Sequence, residues 1–278
     1  MSSRPVVFSP HLLPPKLGGR PQVRERVFIL AELVGRSGTS QEVLPLVDNR
    51  PVGDWNPQDW RIEDWLDHDV DNSHPSPYAL RDVERVWIDA WQDLLQRIDE
   101  DPLPGFPIWV DAFVESPVIP LDTPSWKAAF LSKNAEFYQR NRDLIDAWLL
   151  RWRVRETFPP SRRKFEWQAR GYQADLWSLA LHLRPSGIRV KPPTYLPALV
   201  AITQTSVIGA LRRRITPREA ARLQGFPDTF KLHSNDGVAY RQLGNAVNVG
   251  AVRYVTKALL RAAEVGWPQP LQEMLLVS

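Results

Sequence analysis

Residues 212–247 of this 278-residue chain read RRRITPREAARLQGFPDTFKLHSNDGVAYRQLGNAV, and they carry its densest set of local structural signals. Thr216 places a hydroxyl at a helix N-cap, Pro217 takes the first helical position, and Glu219 follows as a carboxylate three residues after the cap. Residues of these types at this spacing form a capping box, which satisfies free N–H groups of the first helical turn. The pattern predicts a helix that begins at Pro217 and is closed by Gly225.

Two further elements flank this helix in the prediction. Downstream, a polar loop covers residues 233–237, and Gly244 and Asn245 are expected to open a second helix that runs to about Glu264. Upstream, residues 26–33 (RVFILAEL) form a short apolar run, which indicates a strand buried on both faces.

Helical periodicity predicts two long helices between these segments, over residues 79–98 and 123–152. The second helix carries an aromatic and aliphatic stripe, which is more typical of a buried core than of a base-stacking surface. Its members are Trp126, Phe130, Phe137, Leu144 and Trp148.

The sequence contains no cysteine. This composition excludes a disulfide framework, a thiolate metal site and a cysteine nucleophile within these residues. No apolar run approaches the roughly 20 residues of a membrane span, and no signal-peptide pattern is present. We therefore expect a soluble intracellular protein without a membrane partner.

Charge is distributed unevenly along the chain, although the net charge is only +3. Residues 48–101 contain 15 acidic and 5 basic side chains, whereas residues 151–222 contain 15 basic and 4 acidic ones. Within the basic stretch, Arg162, Arg163 and Lys164 lie beside Phe165 and Trp167, a composition that suits a nucleic-acid surface. We predict that these three residues contact DNA; the alternative is a basic loop that packs against its own core.

A second polar pattern, QVRER, precedes the predicted strand. On an extended segment Gln22, Arg24 and Arg26 lie on one side, so three long polar side chains can converge on one anion or carbonyl oxygen. The alternative is an edge strand with solvated arginines.

Three segments together resemble conserved blocks of the DNA cytosine-5 methyltransferase family. TPREAARLQGFPD and YRQLGNAV are similar to its last two blocks, and PQVRERVFILA is similar to its eighth. The resemblance implies an α/β fold: the C-terminal part of a Rossmann-like S-adenosylmethionine-dependent methyltransferase domain with an inserted mixed α+β target-recognition domain. The implied domains are a catalytic segment at 1–35, the recognition domain at 36–205 and a returning catalytic segment at 206–278.

The resemblance also implies roles for individual residues. Arg26 corresponds to the arginine that hydrogen-bonds O2 of a flipped-out cytosine, and Gln22 and Arg24 would support it. Asn245 corresponds to the residue that contacts the carboxylate end of S-adenosylmethionine, while Ala246 stands where some relatives have serine. The simpler alternative for Asn245 is helix capping.

The sequence departs from the family pattern in one large respect. The glycine-containing cofactor loop, the Pro-Cys pair and the Glu-Asn-Val segment of the family are missing. We therefore expect the C-terminal portion or subunit of a restriction–modification type enzyme that needs a complementing N-terminal half. It would share S-adenosylmethionine with that half, bind double-stranded DNA, require no metal, and act in a bacterial-type cytoplasm in association with the nucleoid. The alternatives are a non-catalytic sequence-specific DNA-binding module and an inactive remnant.

Overall fold

Two compact units make up the computed structural model, which describes residues 5–29, 47–67, 77–99, 103–199 and 206–262. The first unit, called the return unit here, comprises Met1–Asp67, Thr194–Thr203 and Thr216–Ser278. The second, the insert unit, comprises His68–Pro193 and Gln204–Ile215. The return unit thus consists of three stretches of the chain, and the domain bounds expected from the sequence (1–35, 36–205 and 206–278) stay a prediction.

Strands and helices both occur among the described residues. The strands are β1 Pro5–Phe8, β2 Gln22–Val23, β3 Arg26–Ile29, β4 Ile108–Trp109, β5 Lys164–Trp167, β6 Ala180–Arg184, β7 Gly187–Lys191, β8 Leu196–Pro197, β9 Val207–Ile208 and β10 Arg213–Arg214. The α-helices are α1 Asp82–Arg97, α2 Ser125–Arg140, α3 Arg142–Trp152, α4 Val154–Thr157, α5 Pro217–Leu223, α6 Asp236–Asn245 and α7 Val249–Ala262. Mixed α and β structure was expected.

The insert unit is built on a six-stranded sheet in the order β10-β9-β6-β7-β5-β4. β5 and β7 are parallel, and the other neighbouring pairs are antiparallel. Apolar residues alternate with polar ones along the central strands, as expected for a sheet with one buried face. The buried side chains pack with the tryptophans of α1 and α3, and the core includes Trp91, Trp148, Phe165, Leu181, Ile188 and Val190.

The predicted helix over 123–152 is divided in two. Asn141 ends α2 and precedes α3, and its backbone N–H donates to the carbonyls of Phe137 and Tyr138. Phe137 and Trp148 are core residues as predicted, but Trp126 is 59% exposed. Trp126 packs in the first turn of α2 against Phe130, with ring centroids 6.1 Å apart, so its assignment to the core was wrong.

β1 and β3 pair antiparallel in the return unit and form a two-stranded sheet. Its inner face contributes Phe8, which stacks on Tyr254 of α7 at 5.3 Å between ring centroids. On the outer face, Val27 and Ile29 are 62% and 71% exposed. The expectation of a strand buried on both faces is therefore wrong for the described residues of β3, because only one face has a packing layer; residues 30–33 lie outside the described part of the chain.

The capping box at α5 is confirmed. The Glu219 N–H donates to the Thr216 Oγ1 at 3.1 Å, and the Thr216 N–H donates to the Glu219 Oε2 at 2.7 Å. α5 begins at Pro217 and ends at Leu223. Gly225 then adopts a φ of +82°, a left-handed conformation that glycine adopts with little strain.

The second helix does not begin at Gly244 and Asn245. Instead α6 starts at Asp236, capped by the side chain of Asn235, and Asn245 is its last residue. The next helix, α7, starts at Val249. The prediction was wrong because Gly244 is accommodated inside α6, so the chain turns after Asn245.

Two sequence expectations concern features that the described residues lack. In these parts of the chain no helix combines the length and the apolar character needed to cross a bilayer. The same parts contain no group of three or more histidine, aspartate or glutamate side chains arranged to hold a metal ion.

Candidate functional site

Arg24 joins the QVRER segment to the end of α6. Its side chain is 1% exposed, and its guanidinium donates to the carbonyl oxygens of Leu199, Gly244 and Ala246 at 2.7, 2.5 and 2.6 Å. The last carbonyls of a helix have no partners within the helix and carry its negative dipole end. Arg24 therefore caps the C-terminus of α6 with a positive charge, which is the favourable sign at this position.

Burial perturbs the ionisation of groups around this contact. It lowers the pKa of Arg24 to about 10, and the charge of Arg26 contributes in the same direction. The backbone N–H of Arg24 donates to the Ser9 hydroxyl, which also lies 2.8 Å from the ring Nδ1 of His11. Burial lowers the pKa of His11 to about 4, so this ring is neutral near pH 7. The guanidinium is thus held mainly by carbonyl oxygens.

The three polar residues of QVRER occupy different environments. Gln22 is fully buried in β2, which pairs in parallel with β8, and its amide makes no hydrogen bond within the described residues. Arg24 is buried in the contact just described. Arg26 is only half-buried at the start of β3, and its Nη1 donates to the Glu25 carbonyl at 2.7 Å in an exposed position. Of the three, Arg26 presents its head group to solvent.

Asn245 and Ala246 lie at the C-terminal end of α6, with Asn245 exposed and Ala246 half-buried. The sequence predicts this amide at a helix N-terminus, where backbone N–H groups attract a carboxylate. The observed position reverses the local dipole, because the carbonyl end favours a cation. Within the described residues no hydrogen bond engages the Asn245 side chain, which leaves both its acceptor oxygen and its donor NH₂ free to contact an amino-acid group.

Arg24 connects the two segments that carry the predicted ligand-binding residues Arg26 and Asn245. It precedes Arg26 by two residues, and it binds the carbonyls on either side of Asn245. The partly exposed guanidinium of Arg26 and the amide of Asn245 are therefore attached to segments that share a buried anchor. Such rigid support is what a ligand site needs in order to hold its contacts in a fixed geometry.

Sequence reasoning missed Asn248, which is buried between α5 and α7. Its Nδ2 donates to the Leu223 carbonyl, and its Oδ1 accepts from the Ala251 N–H, both at 3.0 Å. An asparagine three residues before the first bonded amide of a helix is itself an N-cap signal. The competing Gly244-Asn245 pattern concealed it.

The basic triplet predicted to contact DNA lies in the insert unit, and its members differ. Arg162 is 8% exposed, and its guanidinium donates to the carbonyls of Arg184 and Leu183 at 2.7 and 3.3 Å while lying 5.2 Å above the Trp87 ring. These contacts give Arg162 a structural role. The physical reason is that the loop before β5 passes under the last carbonyls of β6.

The other two members are more accessible. Arg163 is paired with Asp111 at 2.7 Å and keeps 20% of its side chain exposed. Lys164 is half-buried, with its Nζ 4.7 Å from the centroid of the Trp109 ring. Only Lys164 shares a face of the sheet with other cations, which sequence reasoning overlooked although the period-two alternation in β6 and β7 signals them.

Comparisons with known proteins add a further finding. The model of the C-5 cytosine-specific DNA methylase family matches residues 126–261. Type II methyltransferase M.AluI of Cellulosimicrobium cellulans is 37% identical over 339 aligned positions, which cover 94% of this chain and 65% of the relative. Shorter matches include M.HgiCI of Herpetosiphon aurantiacus (57% over 53 residues, 19% of this chain and 13% of the relative) and M.HhaI of Haemophilus parahaemolyticus (33% over 69 residues, 25% and 21%). The chain thus spans less than two thirds of the length of each of these relatives, and no solved structure matches it significantly.

Proposed function

Because this chain belongs to the C-5 cytosine-specific DNA methylase family, we propose that it is the C-terminal portion of a restriction–modification DNA cytosine-5 methyltransferase. The observation that carries the proposal is the 37% identity to a type II methyltransferase across 94% of the chain. In this proposal the chain works as one subunit of a split enzyme.

The complementary subunit supplies what these residues lack. Cytosine-5 methylation in this family uses a cysteine that attacks C6 of the base, and the sequence has none. We assign the Pro-Cys pair, the Glu-Asn-Val segment and the glycine-containing cofactor loop to a separate chain. The exposed outer face of β3, with Val27 and Ile29, supports this assignment, since apolar surface of this kind favours association.

Arg26 is the residue that we assign to the target base, with Arg24 and Gln22 in supporting positions. Attack at C6 increases electron density on the O2–N3 side of cytosine, and a fixed guanidinium at O2 stabilises that charge. Two observations support the assignment. The head group of Arg26 is partly exposed, and its strand is held by pairing with Phe8 in β1.

Members of this family normally use S-adenosylmethionine, which provides the methyl group when bound. The residues at the end of α6 fit the amino-acid end of that cofactor. The free amide of Asn245 can accept from an ammonium and donate to a carboxylate, and the negative end of the helix dipole favours the ammonium. Ala246 contributes only backbone groups. In the proposed enzyme these two residues and the subunit that supplies the cofactor loop form the cofactor site together.

The insert unit is the part that we propose binds double-stranded DNA. The target cytosine must leave the base stack before its C5 atom can be reached, so the enzyme has to hold the flanking duplex while the base is extruded. The basic surface of this unit supports the assignment, since cations provide the sequence-independent part of DNA affinity.

A reconstitution experiment tests the proposal. The chain is mixed with a candidate complementary subunit, DNA and S-adenosylmethionine labelled on its methyl group, and label transferred to DNA is counted. We expect transfer only when both chains are present. Arg26→Ala should abolish transfer and leave DNA binding within about twofold, whereas Arg61→Ala, a change at an exposed arginine paired with Glu63, serves as the matched control.

The outcome also separates the alternatives. DNA binding without transfer by the folded pair would contradict the split enzyme and favour a non-catalytic recognition module. Neither binding nor transfer would favour an inactive remnant. Equal transfer by the wild-type and Arg26→Ala chains would refute the role of Arg26 alone.

A further inference from the structure

We propose that the outer face of β5, β7 and β6, rather than the Arg162–Arg163 segment that precedes β5, is the surface with which the insert unit binds DNA. In this arrangement Lys164 and Arg184 contact phosphates, and the Glu166–Arg189 pair reads a base edge. The inference rests on the proposed function, because it takes DNA to be the ligand of this unit.

Side-chain alternation produces this face. In each of the three strands the buried residues point into the core, and the partly buried residues that alternate with them share the other side of the sheet. Four of these side chains are lysine or arginine and one is a carboxylate, so the face has the sign that attracts phosphates. The residues of the face are Lys164, Glu166, His182, Arg184, Arg189 and Lys191.

One end of the face opens into a cleft of about 260 Å³. Trp109 and Lys164 line one side, and the turn between β6 and β7, including Ser186 and Gly187, lines another. Gly187 has a φ of +143°, and a Cβ there would lie 3.0 Å from both the Cβ and the carbonyl oxygen of Lys164. The absence of a side chain at Gly187 therefore allows the close approach of β7 to β5 that shapes the cleft.

The cations that line the cleft fall into two kinds. Arg189 donates from Nε and Nη2 to the same carboxylate oxygen of Glu166, at 2.8 and 2.7 Å, and Gln168 also donates to that carboxylate. Arg189 and Glu166 are each about 30% exposed. By contrast, no carboxylate pairs with Lys164 or Arg184 among the described residues.

This difference assigns separate roles. A guanidinium locked in one plane by a carboxylate loses little further freedom when it binds, and its fork geometry suits the O6 and N7 atoms of guanine in the major groove. The carboxylate beside it can accept from a cytosine amino group. Cations at the rim that have no carboxylate partner among the described residues suit phosphates, whose contacts position the duplex without reading its sequence.

Arg162 acts as a positioning residue for this surface. It holds the carbonyls of Leu183 and Arg184 from the buried side, next to the turn that borders the cleft. Changing Arg162 should therefore affect binding by way of the fold, whereas changing Lys164 should affect binding directly.

Affinity and specificity are measured separately on the full chain. Fluorescence anisotropy with a fixed 20-base-pair duplex at several salt concentrations gives the affinity and its salt dependence. Selection from a randomised 20-base-pair duplex library, read by sequencing, gives the base preference. Lys164→Ala with Arg184→Ala should weaken binding at all sequences and reduce the slope of log affinity against log salt by about 2. Arg189→Ala should lose discrimination at one position by about 10- to 100-fold.

Matched controls come from cations elsewhere in the same unit. Arg97 and Arg151 are about half exposed and lie on α1 and α3, paired with Asp93, so Arg97→Ala with Arg151→Ala removes the same charge away from the face. Thermal unfolding of each variant checks that it is folded, and Lys164→Glu provides a second perturbation that should weaken binding more than the alanine change.

The possible results are distinct. If the wild-type chain binds DNA but the Lys164 and Arg184 changes match the controls, the inference is overturned and the proposed function stands. If those changes weaken binding but Arg189→Ala leaves the selected sequences unchanged, the base-reading assignment is overturned. If the wild-type chain binds no duplex, both the proposed DNA-binding role and this inference fail.

Discussion

Replacing Arg24 by methionine tests the buried contact on which the return unit depends. Methionine has a similar length, but it removes the three donors that reach Leu199, Gly244 and Ala246. Each charge-assisted hydrogen bond contributes about 2 kcal/mol, so the bonds lost amount to about 6 kcal/mol. Removing a guanidinium that burial disfavours returns about 3 kcal/mol, judged from its pKa of about 10. We expect a net destabilisation of about 3 kcal/mol.

Hydrogen exchange provides the most local assay. Amides of α6, including that of Ala246, which donates to the Gln242 carbonyl, should exchange roughly 100-fold faster in Arg24→Met. Denaturant unfolding followed by tryptophan fluorescence gives the corresponding change in free energy. Arg24→Lys, which keeps the charge but has no planar fork, should lie between the wild type and Arg24→Met.

The surface change Arg61→Met serves as the control and should leave the free energy of unfolding nearly unchanged, because an exposed ion pair contributes little to stability. Unchanged protection of α6 in a folded Arg24→Met chain would refute the argument that Arg24 holds the end of this helix. A full loss of protection in Arg24→Lys would instead show that guanidinium geometry, and not charge, is what α6 requires.

Three other predictions follow from the described contacts. Glu219→Ala removes the acceptor for the backbone N–H groups of Thr216 and Asp67, and it should cost about 3 kcal/mol in denaturant unfolding; a loss under 1 kcal/mol would contradict the capping role. Burial, followed by the charges of neighbouring cations, lowers the pKa of His182 from 6.5 to about 3. Protonation of this ring therefore favours the unfolded chain. The stability that the neutral ring contributes is fully present above pH 6.5 and is lost as the pH falls toward 3, by up to about 1.4 kcal/mol per pH unit. His182→Asn should flatten this pH dependence, which is checked by denaturant unfolding at pH 7 and 4.5. Val27→Thr with Ile29→Thr should reduce concentration-dependent association in sedimentation; unchanged association would exclude this face as its cause.

Local signals predicted those elements whose stabilising contacts lie within a few residues. The capping box at α5 joins Thr216 and Glu219, three positions apart, so its atoms meet whenever the helix forms. The family resemblance rests on similarly short blocks.

The errors arose where two local signals competed or where packing decided. Gly244 and Asn245 resemble a helix start, yet α6 continues through them and Asn248 caps the following helix. Trp126 has the right spacing for a core stripe, but α2 leaves its first turn exposed. Hydrophobic periodicity and helix propensity predict where a helix forms, but they do not predict which part of that helix is buried.

The sequence by itself indicated the family resemblance, the absence of cysteine from these residues and the start of α5, because composition and short-range pattern are sufficient for each. Only the tertiary structure decided which arginines are structural. Arg24 finds its carbonyl partners 175, 220 and 222 positions away, and Arg162 finds its partners 21 and 22 positions away across a strand turn. A guanidinium has the same chemistry in solvent and in the interior, and only the packing of distant backbone carbonyls around it determines whether it caps a helix or remains free for a ligand.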